Sequence, residues 1–332
     1  MIWECMKMLS GLPGVSGCED AVRNEILRQI DGHCDYRVDV LGNIIAFKKG
    51  KHPAPSRKMF SAHMDEVGFI ITYIEDSGLL RFATVGGIDS RSLAGKKVMI
   101  GEIPGVIGTK AMHQKSEKER GKAAAIQDMY IDIGAKDKEQ AENAVKPGDR
   151  AVFSSQYLEF GDGKIQGKAL DDRVGCALLI HLIQSELPVD TYFVFTVQEE
   201  TGGAGAQIAA AQIRPEIGIV VEATTACDIP DTPENKQVCR LGRGPVLSFM
   251  DRGTVYDMEL YQKALTAARI YDIRCQSKLG VYGGNESRSI QTAGDGTKVL
   301  AVSLPCRYLH TQSCVLCRSD VEETIKLLYQ LL

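Results

Sequence analysis

The spacing of hydrophobic residues gives the chain three stretches with different patterns. In the first stretch, apolar residues recur every four positions and predict an amphipathic helix: Val22, Ile26 and Ile30. The segments 35–40 and 44–48 flank a Leu-Gly-Asn turn and predict a β-hairpin. A short strand over 59–63 then follows a polar loop that contains two prolines.

The second stretch runs from about residue 73 to residue 165. Its apolar runs are short and are interrupted by glycine, proline and aspartate, which predicts a small β-barrel or β-sandwich. Only residues 138–145 have the pattern of a short helix. We interpret 73–165 as an inserted β-rich domain.

The third stretch alternates between helical and strand patterns from residue 167 to the end. Strands are predicted over 192–197, 217–221 and 299–304, with helices between them and a final helix over 321–332. Such alternation is typical of an α/β fold with a mostly parallel sheet and helices on both faces. Segments 1–72 and 166–332 are therefore expected to form one catalytic domain around the inserted barrel.

Composition narrows the class of protein. The chain has 332 residues, of which 44% are hydrophobic and 25% are charged, so a globular protein of about two domains is expected. A formal net charge of -4 gives no reason to expect nucleic acid as a partner. No apolar run approaches the roughly 20 residues of a membrane span, and no signal peptide is evident. We expect a cytoplasmic protein, with its ten cysteines reduced.

Histidines and carboxylates mark the ends of several predicted strands. His63 ends a strand and is followed by Asp65, whose carboxylate can orient the imidazole ring. His310 follows the strand 299–304. In open α/β sheets, ligands bind at the strand ends, so both histidines are candidate metal ligands. By itself, a His-x-Asp motif is a weak signal.

Acidic residues follow the same arrangement. Asp171 and Asp172 open a predicted helix, where one of them could simply cap it. Glu199 and Glu200 end a buried strand, where two adjacent carboxylates repel each other unless a cation or a shared proton compensates, or the strand end is solvated. Glu222 follows the strand 217–221. Mixed histidine and carboxylate ligands favour Zn, Mn or Co.

Five motifs in this order resemble the dinuclear-metal aminopeptidases that include glutamyl aminopeptidase, deblocking aminopeptidase and the tetrahedral (TET) aminopeptidases. The resemblance covers nearly the whole chain. Its motifs are Leu-Pro-Gly-Val-Ser-Gly at 12–17, Ala-His-Met-Asp-Glu-Val-Gly at 62–68, Ala-Leu-Asp-Asp-Arg at 169–173, Gln-Glu-Glu at 198–200 and Arg-Tyr-Leu-His at 307–310.

The resemblance implies two divalent ions per chain, Zn or Co and possibly Mn, and a role for each site residue. His63 is the implied ligand of the first metal, supported by Asp65, and Asp171 bridges both metals. Glu200 and His310 are the implied ligands of the second metal, and Glu199 is the implied general base. A cis peptide bond after Asp171 is also implied.

The resemblance further implies an exopeptidase that acts on short peptides and forms homo-oligomers, from dimers through the inserted domain up to dodecamers. Two departures concern its site. Glu222 stands where the family usually has aspartate as the remaining ligand of the first metal. The loop 283–288 reads Gly-Gly-Asn-Glu-Ser-Arg instead of a Gly-Gly-Thr-Asp-Ala pattern. Arg288 and Glu286 are therefore candidate substrate-binding residues, and Arg288 could favour an acidic side chain or make a structural ion pair.

Three other functions compete with a metalloaminopeptidase. Some relatives carry the label endoglucanase, but a single tryptophan is unusual for a glucan groove, and the acids here come with two histidines. The same metal pair could hydrolyse N-acyl amino acids. A scaffold without catalytic activity would not need Glu199 beside a full set of ligands. The preferred N-terminal residue, the native metal and the oligomer size do not follow from the sequence.

Overall fold

A computed structural model describes residues 2–114, 116 and 121–332. The α-helices of these residues are α1 (Ile2–Gly11), α2 (Asp20–Ile30), α3 (Lys138–Glu142), α4 (Leu170–Ile183), α5 (Ala204–Ile213), α6 (Met258–Ile270), α7 (Ser287–Gln291) and α8 (Arg318–Leu331). None of the helices in this described part is both long and apolar enough to cross a membrane.

The strands of the described residues are β1 (Asp35–Val38), β2 (Ile44–Lys48), β3 (Lys58–His63), β4 (Gly68–Ile74), β5 (Leu80–Val85), β6 (Lys97–Ile100), β7 (Ile103–Thr109), β8 (Met129–Asp132), β9 (Arg150–Phe153), β10 (Leu158–Phe160), β11 (Lys164–Gly167), β12 (Thr191–Thr196), β13 (Ile217–Thr225), β14 (Val246–Leu247), β15 (Gln276–Ser277), β16 (Lys298–Cys306) and β17 (Cys314–Cys317).

Eight strands form the main sheet, in the order β1-β2-β12-β3-β13-β16-β14-β15. The four central strands, β12, β3, β13 and β16, are parallel to one another. Antiparallel pairing occurs toward both edges, where β2 joins β12 and β14 joins β16. The predicted α/β fold class is confirmed, and the predicted hairpin is the antiparallel pair β1–β2.

Both faces of this sheet are covered by helices, as predicted. Alternate residues of each central strand point to opposite faces, so each face buries its own apolar set. One set, which includes Phe60, Ile219 and Val221, packs against α1, α2, α4, α6 and α8. The opposite set, which includes Met59 and Val220, packs against α5 and α7.

Strands β4 to β9 close into an antiparallel barrel with the order β4-β5-β8-β7-β6-β9. Phe69 lies inside it, with its ring centroid 5.2 Å from those of Phe82 and Phe153 in edge-on contacts. The barrel begins at Gly68, so residues 68–72 belong to it. The sequence pattern had placed these residues in the α/β part instead. Residues 64–67, between His63 and β4, contain no glycine or proline that would mark this boundary.

A second small sheet was not predicted. It contains β10, β11 and β17, and joins the chain just before α4 to the segment just before α8. Each of these strands has three or four residues, which is too short for an alternating pattern to stand out. The two-residue strands β14 and β15 were missed for the same reason.

The chain runs from the α/β part into the barrel and later returns to the α/β part. A buried ion cluster connects these two chain crossings. Glu66 lies on the outgoing crossing, and Lys168 on the returning one places its Nζ 2.7 Å from Glu66 Oε1. Arg173 is fully buried, lies 3.3 Å from the same carboxylate, and donates to the carbonyl oxygens of Leu9 and Met64. Buried charges need such partners because desolvation costs several kcal/mol per ion.

Glu66→Gln would leave two buried cations facing a neutral amide. We expect the free energy of unfolding, measured by urea denaturation, to fall by about 3–5 kcal/mol. Lys263→Met is the control, because it breaks an exposed 2.7 Å ion pair with Glu259 and should cost less than about 1 kcal/mol. Similar small losses in both variants would contradict a structural role for the cluster.

Candidate metal centre

Parallel strands bring polar side chains into one row near their carboxyl ends. His63, the last residue of β3, is paired with Thr196, the last residue of β12. On the other side of β3, Ser61 is paired with Val220 of β13, so Glu222 stands level with His63. This edge of the sheet is where open α/β folds bind their ligands.

The predicted strand ends need correction at three of these positions. Glu222 lies inside β13, because pairing with β16 continues as far as Thr225. Glu199 lies beyond the end of β12 at Thr196, and His310 lies beyond the end of β16 at Cys306. Both of these residues are therefore carried by loops.

The carboxylate of Asp171 lies between the two histidines. Its Oδ1 is 3.4 Å from Nε2 of His63, and its Oδ2 is 3.3 Å from Nε2 of His310. The helix expected to open here is distorted, since Asp171 and Asp172 have non-helical backbone angles. The peptide bond between them is cis, as the resemblance implied.

Each histidine is oriented by a carbonyl oxygen behind it. Nδ1 of His63 lies 3.1 Å from the carbonyl oxygen of Asp65, and Nδ1 of His310 lies 2.7 Å from that of Gly87. A carbonyl oxygen can only accept, so each Nδ1 donates. Nε2 of each ring therefore faces Asp171 and is the nitrogen available to a metal.

Asp65 fixes the adjacent glutamates through their backbones. Its Oδ1 accepts from the amide of Glu199 at 3.0 Å, and its Oδ2 accepts from the amide of Glu200 at 3.1 Å. Ser16 Oγ donates to the same carboxylate at 2.6 Å. Burial raises the pKa of Asp65, but hydrogen bonding and the charge of His63 outweigh it and lower the pKa overall.

The remaining carboxylates are crowded and poorly solvated. Burial, reinforced by neighbouring carboxylates, raises the pKa of Glu199, Glu200 and Glu222 to about 8 in each case. For Asp171 burial also raises the pKa, but hydrogen bonds from His310 and His63 outweigh it and lower the pKa. A cation would relieve the repulsion among these groups.

Two sets of ligand atoms suit a metal ion, each with its atoms within 4.8 Å of one another: His63, Glu199 and Glu200 in one, and Asp171, Glu200 and His310 in the other. Glu200 is common to both sets. Among the described residues its buried Oε1 has no hydrogen-bond partner, although Nε2 of His310 lies 3.3 Å away. Imidazole and carboxylate donors of this kind suit divalent metal ions.

Glu222 is outside both sets among the described residues. It lines the same cavity, but its Oε1 accepts from Asn285 Nδ2 at 2.6 Å and from Ser303 Oγ at 3.2 Å. Asn285 also donates to the hydroxyl of Tyr256. The structure thus places Glu222 beside the candidate metal ligands, held by its own hydrogen bonds.

The candidate ligands open into a cavity of about 670 Å³. Gly87 and Ser92, from the barrel side, form part of its wall, and Lys278, Tyr282 and Thr311 contribute from the α/β part. The barrel supplies no member of either ligand set among the residues described.

The two residues expected to bind substrate lie outside the wall of this cavity. Glu286 is 2% exposed, and its Oε2 accepts from Thr196 Oγ1 at 2.5 Å, behind the sheet edge. Arg288 is exposed on α7, with its side chain against Gly253. The loop 283–288 does approach the cavity, but through Gly283 and Gly284.

Several supporting residues were missed from the sequence. Ser16 supports Asp65, and Glu19 accepts from the amide of Gln198 at 3.2 Å. Asn43 accepts from the amide of Val197 at 3.0 Å. The partners of these three residues lie more than 40 positions away in the sequence, so local pattern does not reveal their roles. The motif at 12–17 was the one available signal.

Left-handed backbone conformations gather around the site. Among non-glycine residues, four with positive φ lie in or near the motifs that carry it: Ala169 at 52°, Gln198 at 58°, Tyr308 at 59° and His310 at 58°. Such conformations cost free energy and persist where surrounding contacts enforce them. The loops that present Glu199 and His310 are therefore held tightly and do not follow local preference.

Comparison with known proteins agrees with this geometry. Residues 42–327 match the model of the M42 glutamyl aminopeptidase family. A lysyl aminopeptidase of Pyrococcus furiosus is 33% identical, over 99% of this chain and 96% of its own. Both the resemblance found in the sequence and the fold that it implied are confirmed.

Two solved structures are similar over nearly their whole length. The TET1 peptidase of Pyrococcus horikoshii, described as assembling into a tetrahedron or a large octahedral shell, is 36% identical with a TM-score of 0.89 and covers 100% of this chain and 99% of its own. A Thermotoga maritima protein named endoglucanase is 38% identical with a TM-score of 0.82, over 98% and 96%.

Asp171→Ala should remove the group shared by the two histidines. We expect metal analysis by mass spectrometry, after dialysis against Zn²⁺ or Co²⁺, to show the loss of both ions. His310→Ala should weaken mainly one, and the exposed Asp76→Ala should keep the wild-type content. If Asp171→Ala kept a full complement, the bridging position of this carboxylate would be wrong.

Proposed function

The chain belongs to the M42 glutamyl aminopeptidase family and is a peptide hydrolase, and on that basis we propose that it is a metal-dependent aminopeptidase that removes the N-terminal residue from short peptides. The observation that carries the proposal is the position of Asp171 between His63 and His310, beside Glu199 and Glu200. A purely structural cluster would not need so many buried carboxylates.

We assign the metal ligands as follows. His63 and Glu222 would hold the first ion, Glu200 and His310 the second, and Asp171 would bridge both. When bound, the ions would supply a Lewis acid for the scissile carbonyl and would lower the pKa of a nearby water to about 7. Both hydrogen bonds that Glu222 accepts from Asn285 and Ser303 reach its Oε1, so Oε2 is the atom that would contact the metal.

Glu199 is assigned the proton transfer. Its backbone is held by Asp65, and its carboxylate faces the cavity beside His63 without belonging to the set around His310. From that position it can take a proton from the attacking water and pass it to the leaving amine. Asp65 acts by positioning His63 and both glutamates, and not by contact with the peptide.

The cavity suits the end of a peptide better than a folded chain. About 670 Å³ accommodates a few residues, and the barrel-side residues Gly87 and Ser92 form part of its wall. We propose that 1–67 with 166–332 is the catalytic domain, and that the barrel domain, 68–165, makes a dimer contact within a homo-oligomer. The assembly of the related TET1 peptidase supports this.

A cytoplasmic location is also proposed. All ten cysteines are free thiols, and six of them are buried: Cys5, Cys176, Cys239, Cys306, Cys314 and Cys317. Reduced cysteines are usual in reducing compartments.

The remaining alternatives concern the substrate. An endoglucanase is supported only by the names that some similar structures carry. A glycosidase needs two carboxylates that flank a sugar. The carboxylates here instead lie beside two histidines, in groups that suit a metal ion. Hydrolysis of N-acyl amino acids would use the same ligands and differs only in the group that the cavity accepts.

A substrate panel tests the proposal. The metal-loaded protein should hydrolyse leucine p-nitroanilide or other aminoacyl p-nitroanilides, and should leave carboxymethyl-cellulose and N-acetyl amino acids intact. Blocking the substrate's α-amine with an acetyl group should abolish cleavage. Cleavage of cellulose, or faster cleavage of the acetylated compounds, would reject an aminopeptidase.

Glu199→Gln keeps the size of the side chain and removes the base. We expect kcat to fall by at least about 100-fold, the usual scale for a positioned general base. Metal content and the thermal unfolding midpoint should stay near wild-type values. The matched variant Glu200→Gln should instead lose metal. If the two results were exchanged, the assignments of Glu199 and Glu200 would have to be reversed.

A further inference from the structure

We propose that Asn285 is a positioning residue for the first metal ion. It holds one carboxylate oxygen of Glu222, through a chain of hydrogen bonds that ends at Asp251, and so leaves the other oxygen for the ion. The inference rests on the proposed function and concerns the same site. It gives a joint role to positions 222 and 285, at both of which the sequence departs from the family pattern.

The side-chain amide of Asn285 has one orientation that satisfies its neighbours. Its Oδ1 accepts from the backbone amide of Ser287 at 2.8 Å, and a backbone N–H can only donate. Its Nδ2 therefore faces Glu222 Oε1, at 2.6 Å, and the hydroxyl oxygen of Tyr256, at 2.9 Å. Both hydrogens of Nδ2 are used, so the amide cannot turn over without losing hydrogen bonds.

Tyr256 connects Asn285 to Asp251. Because an ionised carboxylate can only accept, the hydroxyl of Tyr256 donates to Asp251 Oδ2 at 2.5 Å and accepts from Asn285. Asp251 Oδ1 accepts from the backbone amides of Gly253 and Thr254, each at 2.7 Å. The chain of hydrogen bonds thus ends on backbone groups, which fix the carboxylate of Asp251 in turn.

The far end of this chain is shielded from solvent. Tyr256 is 3% exposed and Asp251 is 1% exposed. The backbone beside them is attached to the main sheet, because the amide of Asp257 donates to the carbonyl oxygen of Val299 in β16. In such an enclosed place a hydrogen bond is stronger than in water, and the loss of one partner leaves another buried polar group unpaired.

Glu222 is held at one oxygen from two sides. Ser303 is its partner in the parallel pairing of β13 and β16, and Ser303 Oγ donates to Glu222 Oε1 at 3.2 Å. Asn285 donates to the same oxygen from the loop 283–288. Within the described part of the chain no hydrogen bond reaches Oε2, which is therefore the oxygen left for a metal ion.

A glutamate ligand needs such support more than an aspartate does. Its side chain has one more rotatable bond, and fixing that bond costs conformational entropy when a metal binds. Hydrogen bonds to Oε1 fix the carboxylate beforehand and reduce this cost. Threonine, which the family pattern has in place of Asn285, carries a single hydroxyl hydrogen and could not donate to both Glu222 and Tyr256. Glu222 and Asn285 are therefore a matched pair.

Asn285 acts on the metal ligand and not on the peptide. Gly283 and Gly284 line the cavity, whereas Asn285, Tyr256 and Asp251 are not part of its wall. Removal of the Asn285 side chain should therefore reduce metal binding and leave the contacts to the substrate in place.

The test measures Zn²⁺ affinity without substrate, by competition with a chelating dye. In Asn285→Ala the affinity for one of the two ions should fall by about 10- to 100-fold, the usual effect of removing a hydrogen-bond partner of a metal ligand. Tyr256→Phe should lower the same affinity by about 10-fold, the lower end of that range. Tyr261→Phe is the matched control, because its buried hydroxyl contacts Ser277 outside the cavity wall, and it should bind both ions as the wild type does.

Exchanging both departures tests whether Asn285 acts through Glu222. Glu222→Asp should weaken one ion because the shorter carboxylate cannot reach both Asn285 and the metal, and Asn285→Thr should weaken it because threonine lacks the second donor. The double variant should bind that ion more tightly than the product of the two single effects predicts. Losses that multiply would show that the two residues act independently, and would overturn the inference.

Two further outcomes would also overturn it. One is wild-type affinity for both ions in Asn285→Ala together with a raised KM, which would place Asn285 in substrate binding. The other applies if the thermal unfolding midpoint shows that Asn285→Ala does not fold, and is wild-type affinity for both ions in Tyr256→Phe. A wild type that binds two Zn²⁺ ions but cleaves no peptide would reject the proposed function alone, and the affinity comparisons would still decide about Asn285.

Discussion

Repulsion among buried carboxylates is the constraint on which the rest of the site depends. Glu199, Glu200 and Glu222 face one cavity with Asp171, and burial makes each of the three glutamates harder to ionise. The chain keeps them together by fixing the backbone that carries them. Asp65 binds two of their amides, and the loops around them accept left-handed conformations that isolated residues would avoid.

The fold supplies the rigidity that such an arrangement needs. Four parallel strands with helices on both faces fix the register that puts Glu222 level with His63. The buried cluster of Glu66, Lys168 and Arg173 then fastens the two chain crossings immediately beside Asp65 and Asp171. The cluster residues lie close in sequence to Asp65 and Asp171. A change that weakens the cluster would therefore affect both the stability of the fold and the position of the candidate ligands.

The sequence predicted what depends on local pattern and on family motifs. It located the parallel sheet, the barrel and a group of side chains that the structure does bring together. It failed where a role depends on long-range contacts. Glu19 and Asn43 look like an ordinary helix start and turn until their partners beyond β12 are known. Arg288 illustrates the opposite error, since a charge near a motif need not point into the site.

The hydrogen bond between Gly87 and His310 gives the barrel a part in the chemistry of the opposite domain. The carbonyl oxygen of Gly87 sets which nitrogen of His310 carries the proton, from a loop that follows β5. An evolutionary exchange or engineered deletion of the barrel would therefore change more than the way copies associate. It would free an imidazole ring to rotate. The barrel and the α/β part are accordingly expected to be inherited as a matched pair.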